Sequence, residues 1–119
     1  MLIASISKLL TAVVASENIS ETSLVVSKSA LQKRGAARKL SANSSYSTDI
    51  LYKALLIESN NDAGWVFAET LGTDKFINKL NEKAKAIGMS GASLGNPVGI
   101  DPGSDYKGNY ASINDLVVL

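Results

Sequence analysis

No cysteine and no histidine occur among the 119 residues. That removes thiolate and imidazole chemistry, and with them the usual zinc ligand sets. Any catalysis must therefore use Ser, Lys, Tyr, carboxylates or amides. Charge of one sign is also lacking: twelve basic and eleven acidic residues leave +1. Such a balance gives no electrostatic case for nucleic acid or an anionic membrane surface. No apolar run approaches the ~20 residues of a membrane span. The absence of cysteine suits an extracytoplasmic bacterial protein and a cytosolic one equally. What is present is an ordinary globular mixture, 45% hydrophobic and 19% charged, enough for a single core.

The N-terminal stretch Lys8-Leu9-Leu10-Thr11-Ala12-Val13-Val14-Ala15 imitates a short secretory signal. A signal carries its positive charge before the apolar stretch, whereas Leu2, Ile3 and Ala4 precede this lysine. Residues 5–15 read instead as a helix, apolar nearly all round past Lys8 and so buried on most sides. Ser23 to Ser27 is short and β-branched, which suits a brief strand. Residues 32–47 turn basic and then Ser-rich, an irregular surface segment, and Lys28, Lys33, Arg34, Arg38 and Lys39 are expected to form a solvated face.

Thr48 is placed to cap a helix carrying Ile50, Leu51, Ala54, Leu55 and Leu56 at helical spacing. Ser59-Asn60-Asn61 ends it, because these side chains bond nearby backbone groups and favour turns. A second helix is expected from about Asp62 to Leu71, with Gly72 past its end. Thr73 or Asp74 then caps a third, with Phe76, Ile77, Leu80, Ala84 and Ile87 on one face. Trp65, Phe67, Phe76 and Leu80 are core by this spacing. Six glycines and both prolines fall between Gly88 and Asn109, a long loop with room for a small hairpin. Ser112 and Asp115 have the spacing of a capping pair.

The chemistry centres on Ser5-Ile6-Ser7-Lys8. Residues three apart share a helix face, so the Lys8 amine reaches the Ser5 hydroxyl. A serine at a helix N-terminus also has unpaired N–H groups beside it, which favour an oxyanion on an attacked carbonyl. Burial among Leu9, Leu10 and Val13 would depress the Lys8 pKa and make the amine a base. The bare pattern is common: Ser104-Asp105-Tyr106-Lys107 fits it too, and Ser-x-Asn occurs four times.

The companions make the pattern specific. Ile3 to Ala12 resembles the nucleophile helix of the D-alanyl-D-alanine carboxypeptidases, the low-molecular-mass penicillin-binding proteins. Leu55-Leu56-Ile57-Glu58-Ser59-Asn60-Asn61-Asp62-Ala63 is similar to the second family motif, usually Ser-Gly-Asn followed by Asp-Ala. Lys83 to Met89, Asn96-Pro97-Val98-Gly99-Ile100-Asp101 and Tyr110 to Leu116 resemble further family segments, in family order.

The resemblance implies an α+β, helix-rich fold: part of the serine β-lactamase and DD-peptidase architecture without most of its central antiparallel sheet. Residues 1–119 would be one partial catalytic domain. It implies that Ser5 attacks the penultimate D-Ala carbonyl of a peptidoglycan stem peptide ending in D-Ala-D-Ala. Lys8 takes the Ser5 proton, Ser59 relays a proton to the leaving amine, and Asn61 orients substrate and amine. β-Lactams would acylate the same serine. No cofactor, metal or nucleic acid is implied; the parent protein would act outside the cytoplasm, with membrane association possible.

Two departures qualify this expectation. Lys-Thr-Gly, the third family motif, occurs nowhere, and the N-terminal strands and secretion signal that precede the nucleophile helix in the family are missing. Asn60, where the family most often has Gly, reads as a tolerated change that alters loop geometry. The chain thus reads as an internal fragment holding mostly the helical part, and poorly packed alone. Two alternatives follow: a catalytically inactive fragment, or a class A β-lactamase. The latter needs a deacylating glutamate, for which only Glu69 and Glu82 follow the second motif.

Overall fold

The computed structural model describes residues 1–33, 40–103 and 106–119. Arg34, Arg38 and Lys39 of the expected basic face, and Ser104 and Asp105 of the second Ser-x-x-Lys, lie outside the described residues. Among the described residues no helix is long and apolar enough to cross a membrane.

A 3-10 turn over Ala4–Ile6 leads into α1 (Ser7–Asn18). Then follow β1 (Ser23–Val25), α2 (Lys28–Leu31), β2 (Ser45–Ser47), α3 (Thr48–Leu56), α4 (Asn61–Leu71), α5 (Thr73–Ala86) and α6 (Ile113–Val118). The two strands pair antiparallel, Leu24 opposite Tyr46. α2 and β2 correct the sequence reading. Ser27 caps α2 by accepting from the Ala30 N–H, and β2 forms inside the segment expected to be irregular. Three polar-flanked residues carry no period-2 signal, so only pairing with β1 defines them.

The helix boundaries follow local chemistry. The Ser47 hydroxyl, not Thr48, caps α3 by accepting from the Ile50 N–H at 3.2 Å. Gly72 ends α4 at φ +97°, a conformation that suits glycine, and is itself the N-cap of α5. The expected Thr73 or Asp74 cap is therefore absent, and α5 begins without a side-chain cap. Its apolar face, Phe76, Leu80 and Ala84, is buried as its spacing requires. α6 carries the full capping box of Ser112 and Asp115.

The helix buried on every side is α4, not α1. Every residue from Asp62 to Ala68 is buried, Trp65 and Phe67 completely. α1, α3, α5 and α2 pack around it, and Glu17 of α1 meets Lys83 of α5 at 2.6 Å. α1 buries Lys8, Leu10, Thr11 and Val14 but leaves Leu9 and Val13 exposed, as is Ile6 just before it. The expectation of a helix buried on most sides fails there.

Residues 88–109 hold no hairpin among the described residues. Instead Tyr110 bridges Ser93 on one side and Leu2 on the other, both antiparallel. Hydrogen bonds from Met1, Ile3 and Ala111 extend this join. It fastens the segment entering Ser5 to the loop that follows α5.

Candidate active site

Ser5 sits in the 3-10 turn rather than in the α-helix proper, one turn before Lys8. The turn is strained. Ala4 adopts φ +45°, which is uncommon for a residue with a Cβ. Three contacts hold it there: the Ser7 hydroxyl donates to the Ala4 carbonyl, Ile3 is buried with its N–H on the Asn109 carbonyl, and Gly99 presses on the turn. A Cβ at Gly99 would overlap the Ala4 carbonyl, and its φ of +82° also calls for glycine.

The result is an exposed Ser5 over a buried lysine. Lys8 is only 3% exposed. Its Nζ lies 2.9 Å from the Ser5 Oγ and 2.9 Å from the Val98 carbonyl oxygen. Burial lowers the Lys8 pKa from 10.5 to about 8, because the charged form loses water. The burying groups differ from those read in the sequence. Leu10 is buried, but Leu9 and Val13 point to the surface; the loop 96–99 covers the amine instead. The Ser5 N–H donates to no carbonyl among the described residues.

That loop is organised by two buried asparagines that the sequence reading did not single out as site residues. The Asn96 Oδ1 accepts from the N–H groups of Val98, Gly99 and Ile100. The Asn109 Oδ1 accepts from Gly95 and Asn96, and its Nδ2 donates to the Asn96 carbonyl. Thr11, three residues after Lys8, donates to the Pro97 carbonyl at 2.5 Å. Usable signals were present: an asparagine before proline in a Gly-rich loop favours side-chain-to-backbone turns. Thr11 is also a polar interruption on the Lys8 face of an apolar helix.

The second expected pair lies in the turn between α3 and α4. Ser59 is exposed at φ +55°, another left-handed non-glycine residue. Asn61 opens α4 and is half-buried. Ser59 makes no hydrogen bond to Ser5 or Lys8 among the described residues. α4 meets the lysine site through Gly64, where a Cβ would overlap the Val98 Cγ1. Asn60 does not need to be glycine: its φ is −76°, and its Oδ1 caps α4 by accepting from the Ala63 N–H.

The two later glutamates are engaged elsewhere. Glu69 accepts from the Ser27 hydroxyl and pairs with Lys33, and Glu82 pairs with Lys79 on α5. An open depression of about 430 Å³ beside α5, lined by Asn78, Asn81, Glu82 and Lys85 among others, shares no residue with the Ser5 site.

A family model described as D-alanyl-D-alanine carboxypeptidase (peptidase S11) matches residues 1–119. A D-alanyl-D-alanine endopeptidase of Haemophilus influenzae is 34% identical over 122 residues, covering 98% of this chain and 40% of that protein. The crystal structure of a D-alanyl-D-alanine carboxypeptidase from Mycobacterium tuberculosis superposes with a TM-score of 0.86 at 30% identity, covering 98% of this chain and 44% of that one. Penicillin-binding protein D2 of Listeria monocytogenes, solved with cefotaxime bound, gives 0.80 at 28% identity, covering 99% and 50%. The chain thus spans half or less of the length of these proteins. Its α+β, helix-rich fold is part of the penicillin-binding, DD-peptidase architecture.

Proposed function

The chain belongs to the D-alanyl-D-alanine carboxypeptidase family, and from that premise we propose that it carries the acylation centre of a serine D-Ala-D-Ala carboxypeptidase. Residues 1–119 are then part of the catalytic domain of a protein acting on peptidoglycan outside the cytoplasm. The substrate is a stem peptide ending in D-Ala-D-Ala. β-Lactams, whose strained amide imitates the scissile bond, acylate the same residue.

One observation supports this reading above the others: the Lys8 amine lies 2.9 Å from the Ser5 hydroxyl, buried, with its pKa lowered to about 8. A neutral amine has a lone pair free to accept the hydroxyl proton, and an ammonium has none. In the proposed reaction the Ser5 Oγ attacks the penultimate D-Ala carbonyl while its proton passes to Lys8 Nζ. The Ser5 N–H is available to the resulting oxyanion. Collapse of the tetrahedral intermediate breaks the amide bond, and the leaving D-Ala amine takes a proton from Lys8 by way of Ser59. Asn61, at the start of α4, orients the substrate amide. Water then hydrolyses the Ser5 ester and regenerates the hydroxyl.

Engagement of Glu69 and Glu82 away from Ser5 argues against the class A β-lactamase alternative, which needs a glutamate to deacylate. The test is covalent labelling with a fluorescent penicillin, comparing the chain with Ser5→Ala. Label on the native sequence alone is the expected result. Label on both sinks the Ser5 assignment, and label on neither assigns the chain to the inactive reading.

A further inference from the structure

We propose that Asn96 is a positioning residue for Lys8: its side chain folds residues 96–100 so that the Val98 carbonyl holds the amine against Ser5. The inference rests on the reading of Lys8 as the base that activates Ser5.

The Asn96 side chain is fully buried and its polar atoms are all engaged. Its oxygen accepts from Val98 at 3.1 Å, Gly99 at 2.7 Å and Ile100 at 3.2 Å. Its amide nitrogen donates to the carbonyls of Ile100 at 3.2 Å and Lys107 at 2.9 Å. With three successive N–H groups turned inward onto one oxygen, the carbonyls of Pro97 and Val98 face the other way. They meet α1 at two residues one helical turn apart: Thr11 takes the Pro97 carbonyl and Lys8 takes the Val98 carbonyl. The loop thereby matches two consecutive acceptors to two donors on one helix face. Gly99 and Gly64 provide the room, since a Cβ on either would overlap the opposing segment.

This arrangement has a consequence for the base. A neutral lysine amine has two N–H donors and one lone pair. One N–H fixed on the Val98 carbonyl turns the rest of the amine toward Ser5, and the loop behind that carbonyl excludes the water that would stabilise the ammonium. Without the Asn96 side chain, residues 97–99 lose the oxygen that organises them. The amine then rehydrates and its lone pair is no longer aimed. A residue that only stabilised the fold, without setting the Val98 carbonyl against the amine, would leave the titration of Lys8 unchanged.

The experiment is a pH titration of the lysine 13Cε resonances in the isotope-labelled full chain, with Lys8 assigned by its loss in Lys8→Met. The native Lys8 is expected to titrate at about 8. In Asn96→Ala the midpoint is expected to rise by about one unit or more, toward the ordinary ~10.4 of a hydrated lysine. Ser112→Ala, which removes the α6 cap, is expected to leave it in place. A folded Asn96→Ala whose Lys8 still titrates at about 8 overturns the proposal. Should Asn96→Ala fail to fold, the milder Asn96→Ser decides, because its shorter side chain cannot place one oxygen on all three N–H groups of Val98, Gly99 and Ile100. An upward shift of roughly half a unit supports the proposal, and no shift overturns it. The readout is an amine titration, so a chain that titrates as expected but takes no penicillin label would refute the acylation reading and leave this one standing.

Discussion

At the scale of single residues, the decisive quantity is how much of Lys8 is neutral. A lysine with the ordinary pKa of ~10.4 is almost wholly charged at pH 7, with about one molecule in 2,500 neutral. With the pKa lowered to about 8 by burial, roughly a tenth is neutral at pH 7 and half at pH 8. Acylation that needs the neutral amine therefore rises with pH and saturates above the pKa. The rate of penicillin labelling is expected to rise about tenfold from pH 6 to 7 and to level off above about 8.5. Stopped-flow or quenched labelling across that range checks it. A flat profile would remove Lys8 from the acylating step.

At the scale of elements, the packing of α4 on the lysine loop sets a competition with a calculable winner. Gly64 is the fourth residue of α4, inside the helix, where replacing Gly by Ala favours the helix by up to about 1 kcal/mol. The added methyl would overlap the buried Val98 side chain, and overpacking of that kind costs about 1–3 kcal/mol. The clash wins, so Gly64→Ala is expected to destabilise the chain by about 1 kcal/mol net in urea denaturation. In a Val98→Ala background the same change should become neutral or stabilising, because only the helix term remains. No reversal between the two backgrounds would mean that the α4–loop contact is not the constraint.

The same elements mark where the sequence was legible. The buried positions of α3 (Leu51, Ala54 and Leu55) and of α5 (Phe76, Leu80 and Ala84) and the turn at Ser59–Asn61 followed from period and turn chemistry, because each depends on residues within one or two turns. Ile50 and Leu56 of the α3 pattern, by contrast, are exposed. The Ser5–Lys8 contact was legible for the same reason. β2, the Tyr110 bridges and the Val98 carbonyl were not, since each exists only through a partner distant in the chain. Leu9 and Val13 misled for a related reason. Their apolar character says that they favour burial, but not which segment buries Lys8. Asn60 was read as a tolerated change, and its capping bond to the Ala63 N–H was not foreseen; the left-handed φ of this turn falls on Ser59 instead.

At the scale of the whole molecule, the side of α1 away from α4 is the unusual surface. Ile6, Leu9 and Val13, spaced three and four residues apart, are 45%, 50% and 39% exposed and form one apolar stripe. Leu2, on the adjoining segment, is 45% exposed as well. A contiguous apolar surface in water favours association with another apolar surface, and scattered single residues do not. The net charge of +1 supplies little repulsion against it. The 12.5 kDa chain is therefore expected to sediment as concentration-dependent oligomers. Leu9→Lys combined with Val13→Lys should return it to a monomer. Lysine is a good helix former and both positions are already partly hydrated, so the fold should lose little stability. Both side chains point away from the buried amine, so the Lys8–Ser5 contact stays intact in the double variant. A native chain that remains monomeric at high concentration, or a double variant that associates as strongly, would show that this stripe does not drive assembly.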